Sequence, residues 1–282
     1  MRKKFVAFCI LVGLALSACG GGNKTTSEGS KTATVGEPVE IVISHIVDEN
    51  HTWHKGAEKF KEVAEEKSGG RLKVSIYPNS QLGNEIDTIQ SILTGGGCDI
   101  TFTAESMQTY AEELGVIGMP YAIKSEKQLY NVLDGEVGKE MEDIMLKSGM
   151  RVLGYFVRGP RDITSNTPIK TPDDLKGFII RTPQSPMTVA AFEAMGAKPT
   201  PMAFSEVFTS LQQGVINGQE NPLAMIKSGS LYEVQKYVNQ TDVPDREDYR
   251  NIKDKAEPAI RYADILLHYA EALNELEGTY SI

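Results

Sequence analysis

The chain switches repeatedly between two hydrophobic periods. "VEIVISH", Val39 to His45, is a β-branched run with the alternation of a strand. Trp53, Ala57, Phe60 and Ala64 then recur at helical spacing until "KSGG", where Gly69 or Gly70 supplies a cap. "RLKVSIY" returns to the strand pattern. "NEIDTIQSIL" sets Ile86, Ile89 and Leu93 on one helical stripe, and "GGGCDITF" leads from a turn into a third strand. The order β-α-β-α-β calls for a mostly parallel sheet covered by helices, the mark of an α/β fold.

The alternation resumes further on. "KQLYNVLDG" and "VGKEMEDIMLKSG" read as helices, "RVLGYF" as a strand, "TPDDLKG" as a capped single turn and "FIIR" as another strand. "MTVAAFEAMG" and "FSEVFTSLQQG" are helical, and "EVQKYVNQT" runs from a helix end into a strand. This second block predicts a second α/β lobe, with lobe one over residues 39–156 and lobe two over 157–242.

The N-terminal pattern is different. Arg2, Lys3 and Lys4 precede an apolar run from Phe5 to Leu16 and the small residues Ser17 and Ala18, the composition of a secretory signal peptide over residues 1–18. The run is too short for a permanent membrane span. Residues 19–38 are rich in Gly, Ser, Thr and Lys and predict a flexible tether. Cys98 is the only thiol after Cys19, so the folded part has no intramolecular disulfide and must rely on its core. The three leading basic residues carry +3 of a net −9, which leaves −12 for the rest. No basic face for nucleic acid is visible in such a chain.

Most candidate chemistries are thin. His51 and His54 share a helix but lack a third metal ligand, so no metal site is expected. Gly95 to Gly97 lacks the Gly-Lys-Ser/Thr of a phosphate loop, and Ser185 and Ser205 lie in no nucleophile elbow. Neither a catalytic site nor a cofactor is expected. Arginine beside proline and glycine is the exception. "VRGPRDITSN" holds Arg158 and Arg161, and "IIRTPQSP" places Arg181 at the end of a hydrophobic run, at the rim of a sheet. An arginine fork matches a carboxylate with two parallel charge-assisted hydrogen bonds.

At these residues the chain resembles a known family. "KSGGRLKVSIYPNSQLG", "GPRDITSN", "TPDDLKGFIIRTPQSP" and "GAKPTPMAFSEVFTSLQQGVINGQENPL" are similar to the solute-binding proteins of TRAP (tripartite ATP-independent periplasmic) transporters, the DctP-like family, from about Val39 to Thr241. The resemblance implies a periplasmic-binding-protein-like fold, two α/β lobes that close about a hinge on a small carboxylate, and delivery to a TRAP membrane permease. It also implies site residues. Arg181 is expected to make the bidentate pair with the ligand carboxylate, and Arg161 to be a second cation nearby. Asn221 is expected to donate a hydrogen bond, Phe204 to form a cleft wall, and Gln184 and Glu85 to face the ligand. "LSAC" resembles a bacterial lipobox, which implies cleavage before Cys19 and lipidation of its sulfur.

The tail departs from the family. Members continue past the strand matching "KYVNQT" with helices that return to lobe one, whereas Val243 to Ile282 reads otherwise. "IRYADILLHYAEALNELEG" resembles a buried helix of SusD/RagB-type glycan-binding lipoproteins. Ile260, Ala263, Leu267, Ala270 and Leu273 form one broad stripe, which predicts a helical tail over residues 243–282. Two origins stay open: a lineage-specific replacement, or a chimera that leaves the chain truncated and non-functional. A glycan-binding lipoprotein would be mainly helical with aromatic platforms, but the body alternates strands with helices and holds a single tryptophan, Trp53.

Overall fold

The computed structural model describes residues 37–120, 122–239 and 259–260, so Cys19 and nearly all of the tail lie outside the described residues. The first sheet is parallel. Strand β1 (Val39–Ser44) pairs on one side with β2 (Leu72–Tyr77), Val39 opposite Leu72, and on the other with β3 (Ile100–Thr101). Helix α1 (Thr52–Lys67) connects the first two strands. Its N-terminus is capped by His51, whose Nδ1 accepts from the Trp53 amide at 3.1 Å. Helix α2 (Glu85–Thr94) follows β2. Asn84 caps it by accepting from the amides of Ile86 and Asp87, and Asp87 accepts from the Asn84 amide in return. The helix stops at Gly95, whose left-handed backbone (φ +67°) suits a residue without a Cβ.

Two short 3₁₀ segments, Glu105–Thr109 and Glu112–Gly118, come next, then helices α3 (Glu126–Leu133) and α4 (Glu136–Lys147). Ile89, Met107, Leu114, Met141 and Met150 form one core cluster beneath them. The following run does not become the strand its composition predicts. Residues 151–161 join no strand ladder among the described residues, and Leu153 and Phe156 are 66% and 53% exposed. A β-prone run becomes a strand only where a neighbouring edge accepts its hydrogen bonds.

The second sheet is mixed, in the order β6-β5-β7-β4-β8-β9. Its strands are β4 (Asp162–Ser165), β5 (Ile179–Thr182), β6 (Lys198–Pro201), β7 (Gly218–Asn221), β8 (Tyr237–Asn239) and β9 (Ala259–Ile260). β5 runs parallel to β6 and β7, whereas β4 is antiparallel to β7 and β8. Ala259–Ile260 pair antiparallel to β8, at positions where the tail's periodicity predicts the start of a helix. Helices α5 (Pro186–Ala194), α6 (Phe204–Gln212) and α7 (Leu223–Ser228) cover this sheet, and β6 carries Pro199 and Pro201 at its edge, where prolines are tolerated.

The strands β4 and β7 are polar yet wholly buried. Their side chains satisfy one another: Gln219 Nε2 donates to Thr164 Oγ1 at 2.9 Å, Asn221 Nδ2 donates to Gln219 Oε1, and Asn239 Nδ2 donates to Ser165 Oγ at 2.8 Å. Gly218 lets the two strands meet, since a Cβ there would lie 2.1 Å from the Thr164 carbonyl oxygen.

Candidate functional site

Arg181 leaves β5 with its side chain 3% exposed. Its Nε and Nη2 donate to one oxygen, the carbonyl of Met202, at 3.1 and 2.7 Å. That fixes the side edge of the guanidinium. The end edge, Nη1 and the second hydrogen of Nη2, has no hydrogen-bond partner among the described residues, and no carboxylate comes within ion-pair distance of Arg181. Burial lowers its pKa to about 10, with Glu220 only partly offsetting that effect. A buried arginine without a counter-charge is costly unless an anion completes it.

Arg161, at the start of β4, contrasts with it. Its Nε donates to Glu220 Oε2 in a short contact, its Nη2 to Glu220 Oε1 at 2.9 Å and to Asn221 Oδ1 at 3.1 Å, and its Nη1 to Glu105 Oε1 at 3.2 Å. Glu105 also takes both of its oxygens to Arg158 Nη2, at 2.7 and 2.8 Å. The chain Arg158–Glu105–Arg161–Glu220 therefore links the 3₁₀ segment after the first sheet to the second sheet. Burial alone would raise the Glu105 pKa, but Arg158 and Arg161 hold its carboxyl well below the usual carboxylate range.

A cavity opens beside Arg181. Ile46, Asn84, Glu85, Ser106, Arg181, Gln184, Met202, Ala203 and Phe204 line it, around a space of about 230 Å³ that includes its open mouth. Four residues that the sequence singles out, Arg181, Gln184, Phe204 and Glu85, thus line one cavity. Arg161 and Asn221 do not line it. Asn221 is 2% exposed, with its amide committed to Gln219 and Arg161. Phe204 begins α6 and packs with Ile46, Val47, Trp53 and Met225, a cluster that joins residues from both sheet regions.

Other contacts cross the same divide. Thr109 Oγ1 donates to the Gln184 carbonyl oxygen at 3.3 Å, the Met187 amide to Gln108 Oε1 at 3.1 Å, and the Asp48 amide to Ser228 Oγ at 2.9 Å. Glu105, Ser106, Asn84 and Glu220 escape a reading of the sequence. Glu220 lies inside "QENP", beside the expected Asn221, but "TAESMQTY" around Glu105 and Ser106 carries no periodic signal.

Residues 43–249 match the family described as bacterial extracellular solute-binding protein, family 7. The chain belongs to this family. Among curated solute-binding proteins, one from Roseobacter denitrificans is 44% identical over 76% of this chain and 66% of its own length. The 2,3-diketo-L-gulonate-binding periplasmic protein of Escherichia coli is 36% identical over 67% of this chain and 58% of its own. The chain thus spans slightly less than two thirds of the curated relatives it matches. A TRAP periplasmic solute-binding protein from Roseobacter denitrificans, solved with bound L-galactonate, superimposes with a TM-score of 0.70 at 44% identity, covering 72% of this chain and 68% of that one. One from Sulfurospirillum deleyianum, solved with succinate, gives 0.68 at 32% identity over 72% and 66%. Members of this solute-binding family are extracytoplasmic binding proteins. No helix among the described residues is long and apolar enough to cross a membrane.

Proposed function

We propose that this solute-binding protein captures a small organic acid outside the cytoplasm and passes it to a TRAP-type membrane permease, without catalysing a reaction on it. Arg181 is the anchor. The observation that carries this reading is an arginine buried without a counter-charge at the wall of a cavity, its end edge still open for the two oxygens of a carboxylate. Each charge-assisted hydrogen bond contributes on the order of 1.5–3 kcal/mol, short of the roughly 8 kcal/mol of a micromolar ligand. Enclosure supplies the rest, with lobe one (39–156) closing over lobe two (157–242) and excluding water from the pair.

Arg161 serves as a fixed second cation whose charge is already balanced by Glu105 and Glu220, and Asn221 orients it. Phe204 and Gln184 shape the ligand space, and lipidation at Cys19 holds the protein at the membrane. The test is a thermal melt of the purified protein with a panel of small mono- and dicarboxylates. A ligand at a hundredfold over its dissociation constant stabilises the folded state by about 2.7 kcal/mol and raises the midpoint. A cooperative melt that no acid in the panel moves would refute the reading.

A further inference from the structure

Resting on the reading above, we infer that Glu85 makes this a trap for acids with one carboxylate and a hydroxylated chain, sugar acids of the aldonate or uronate class, and turns dicarboxylates away. Glu85 and Arg181 line the same small cavity, yet they form no ion pair. Ser106 Oγ donates to Glu85 Oε2 at 3.0 Å, and Oε1 has no partner among the described residues. A carboxylate held in this way presents an acceptor to the cavity. Hydroxyl groups satisfy it, whereas a second carboxylate cannot.

The charges of the site lead to the same conclusion. Arg158, Arg161 and Arg181 are matched in number by Glu85, Glu105 and Glu220, and four of these six are already tied together by hydrogen bonds. One ligand carboxylate falls to Arg181. A second, at the far end of a short acid, meets Glu85 with no further unpaired cation lining the cavity among the described residues, and two carboxylates sharing one site force one of them to take a proton. The rest of the wall suits a polyol. Asn84, Ser106 and Gln184 are polar, and Phe204 offers an apolar face to the C–H side of a carbon chain.

Like-charge juxtaposition of this kind costs enough for a preference of roughly a hundredfold. Matched pairs isolate it: galactonate against galactarate, and erythronate against meso-tartrate, each pair differing only in whether the terminal carbon is a hydroxymethyl or a carboxylate. Calorimetric titration of the purified protein at pH 7.5 is expected to favour the mono-acid of a pair by about a hundredfold, and Glu85→Gln to narrow that gap to within about tenfold.

The wild-type protein provides a second readout. The groups facing Glu85 are Ser106, Glu105, Arg158, Arg161 and Arg181, and burial raises its pKa, so as the pH falls Glu85 takes up a proton before the ligand carboxylates do. Galactarate should then gain on galactonate. Equal binding of both members of a pair at pH 7.5, or a gap that neither Glu85→Gln nor acid narrows, overturns the inference. Arg181→Ala separates this failure from that of the underlying reading. If dicarboxylates bind and need Arg181, only the specificity is wrong; if acids bind without it, or none binds, both fall.

Discussion

Arg181 gives two hydrogens to a single oxygen of Met202, at 3.1 and 2.7 Å, so half of its fork is spent on the backbone before any ligand arrives. The backbone contact sets the direction of the other half. Arg181→Ala is expected to abolish carboxylate binding. Arg181→Lys is expected to weaken it by at least about tenfold, because a point charge cannot hold Met202 and two ligand oxygens together. Calorimetric titration of both variants checks this, and near-native affinity in either one refutes the anchor.

Glu105 is the shared acid of two arginines, so removing its charge strips Arg158 of its carboxylate and leaves Arg161 with Glu220 alone. Glu105→Gln is expected to cost about 3–5 kcal/mol of folding stability, read from denaturant unfolding. The pH dependence has a definite sign. The folded-state pKa of Glu105 lies below its unfolded value, so its contribution is complete above the ordinary carboxylate range and is lost as pH falls through it. The variant should therefore lose less stability than the wild type between about pH 5 and pH 3.

His45 and His51 set a second, higher window. Both are buried, and desolvation lowers each pKa from 6.5 to about 4. The unfolded chain binds these protons first, so stability is complete above the unfolded pKa and declines as pH falls toward the folded one. His51→Asn keeps a side-chain acceptor at the α1 cap but removes one titration. Thermal melts from pH 7 to 4 should show a shallower decline for the variant. An unchanged slope would mean that His51 does not titrate in this range.

Gly218→Ala tests the polar strands directly. The added methyl would strike the Thr164 carbonyl oxygen at 2.1 Å, and backbone cannot swing aside as a side chain can. A loss of about 1–3 kcal/mol or more is expected, with the midpoint of thermal unfolding as the readout. A neutral result would contradict the close approach of β4 and β7.

The first sheet and the helices around it are legible in the sequence because their periodicity is strong: Ile43 and Val74 point into one core, and Ile89 into the next. The strands that carry the charge lattice are not. "DITS" and "GQEN" show neither alternation nor apolar character, since their burial is balanced by hydrogen bonds of Gln219 to Thr164, Asn221 to Gln219, and Asn239 to the Ile163 carbonyl and Ser165. The residues 151–156 fail in the opposite direction. They look like a strand because they are β-prone, but among the described residues no edge receives them. Arg181 is legible as a lone arginine at the end of an apolar run, whereas Gln184, Phe204 and Glu85 are legible only through the family motif. Their meeting at one cavity depends on three segments far apart in the chain.

The lining of the cavity divides by where each residue is held. Arg181 sits within β5, locked between two parallel neighbours, whereas Glu85 and Phe204 are the first residues of α2 and α6, Gln184 belongs to the short connection after β5, and Ser106 to the 3₁₀ segment Glu105–Thr109. Replacing a residue at the mouth of a helix disturbs little of the frame behind it, while replacing one inside the sheet disturbs its neighbours on both sides. Under the proposed function, the residue that would hold the carboxylate is thus built into the sheet, while those that would shape the rest of the ligand stand at element ends, where a change of side chain perturbs the frame less.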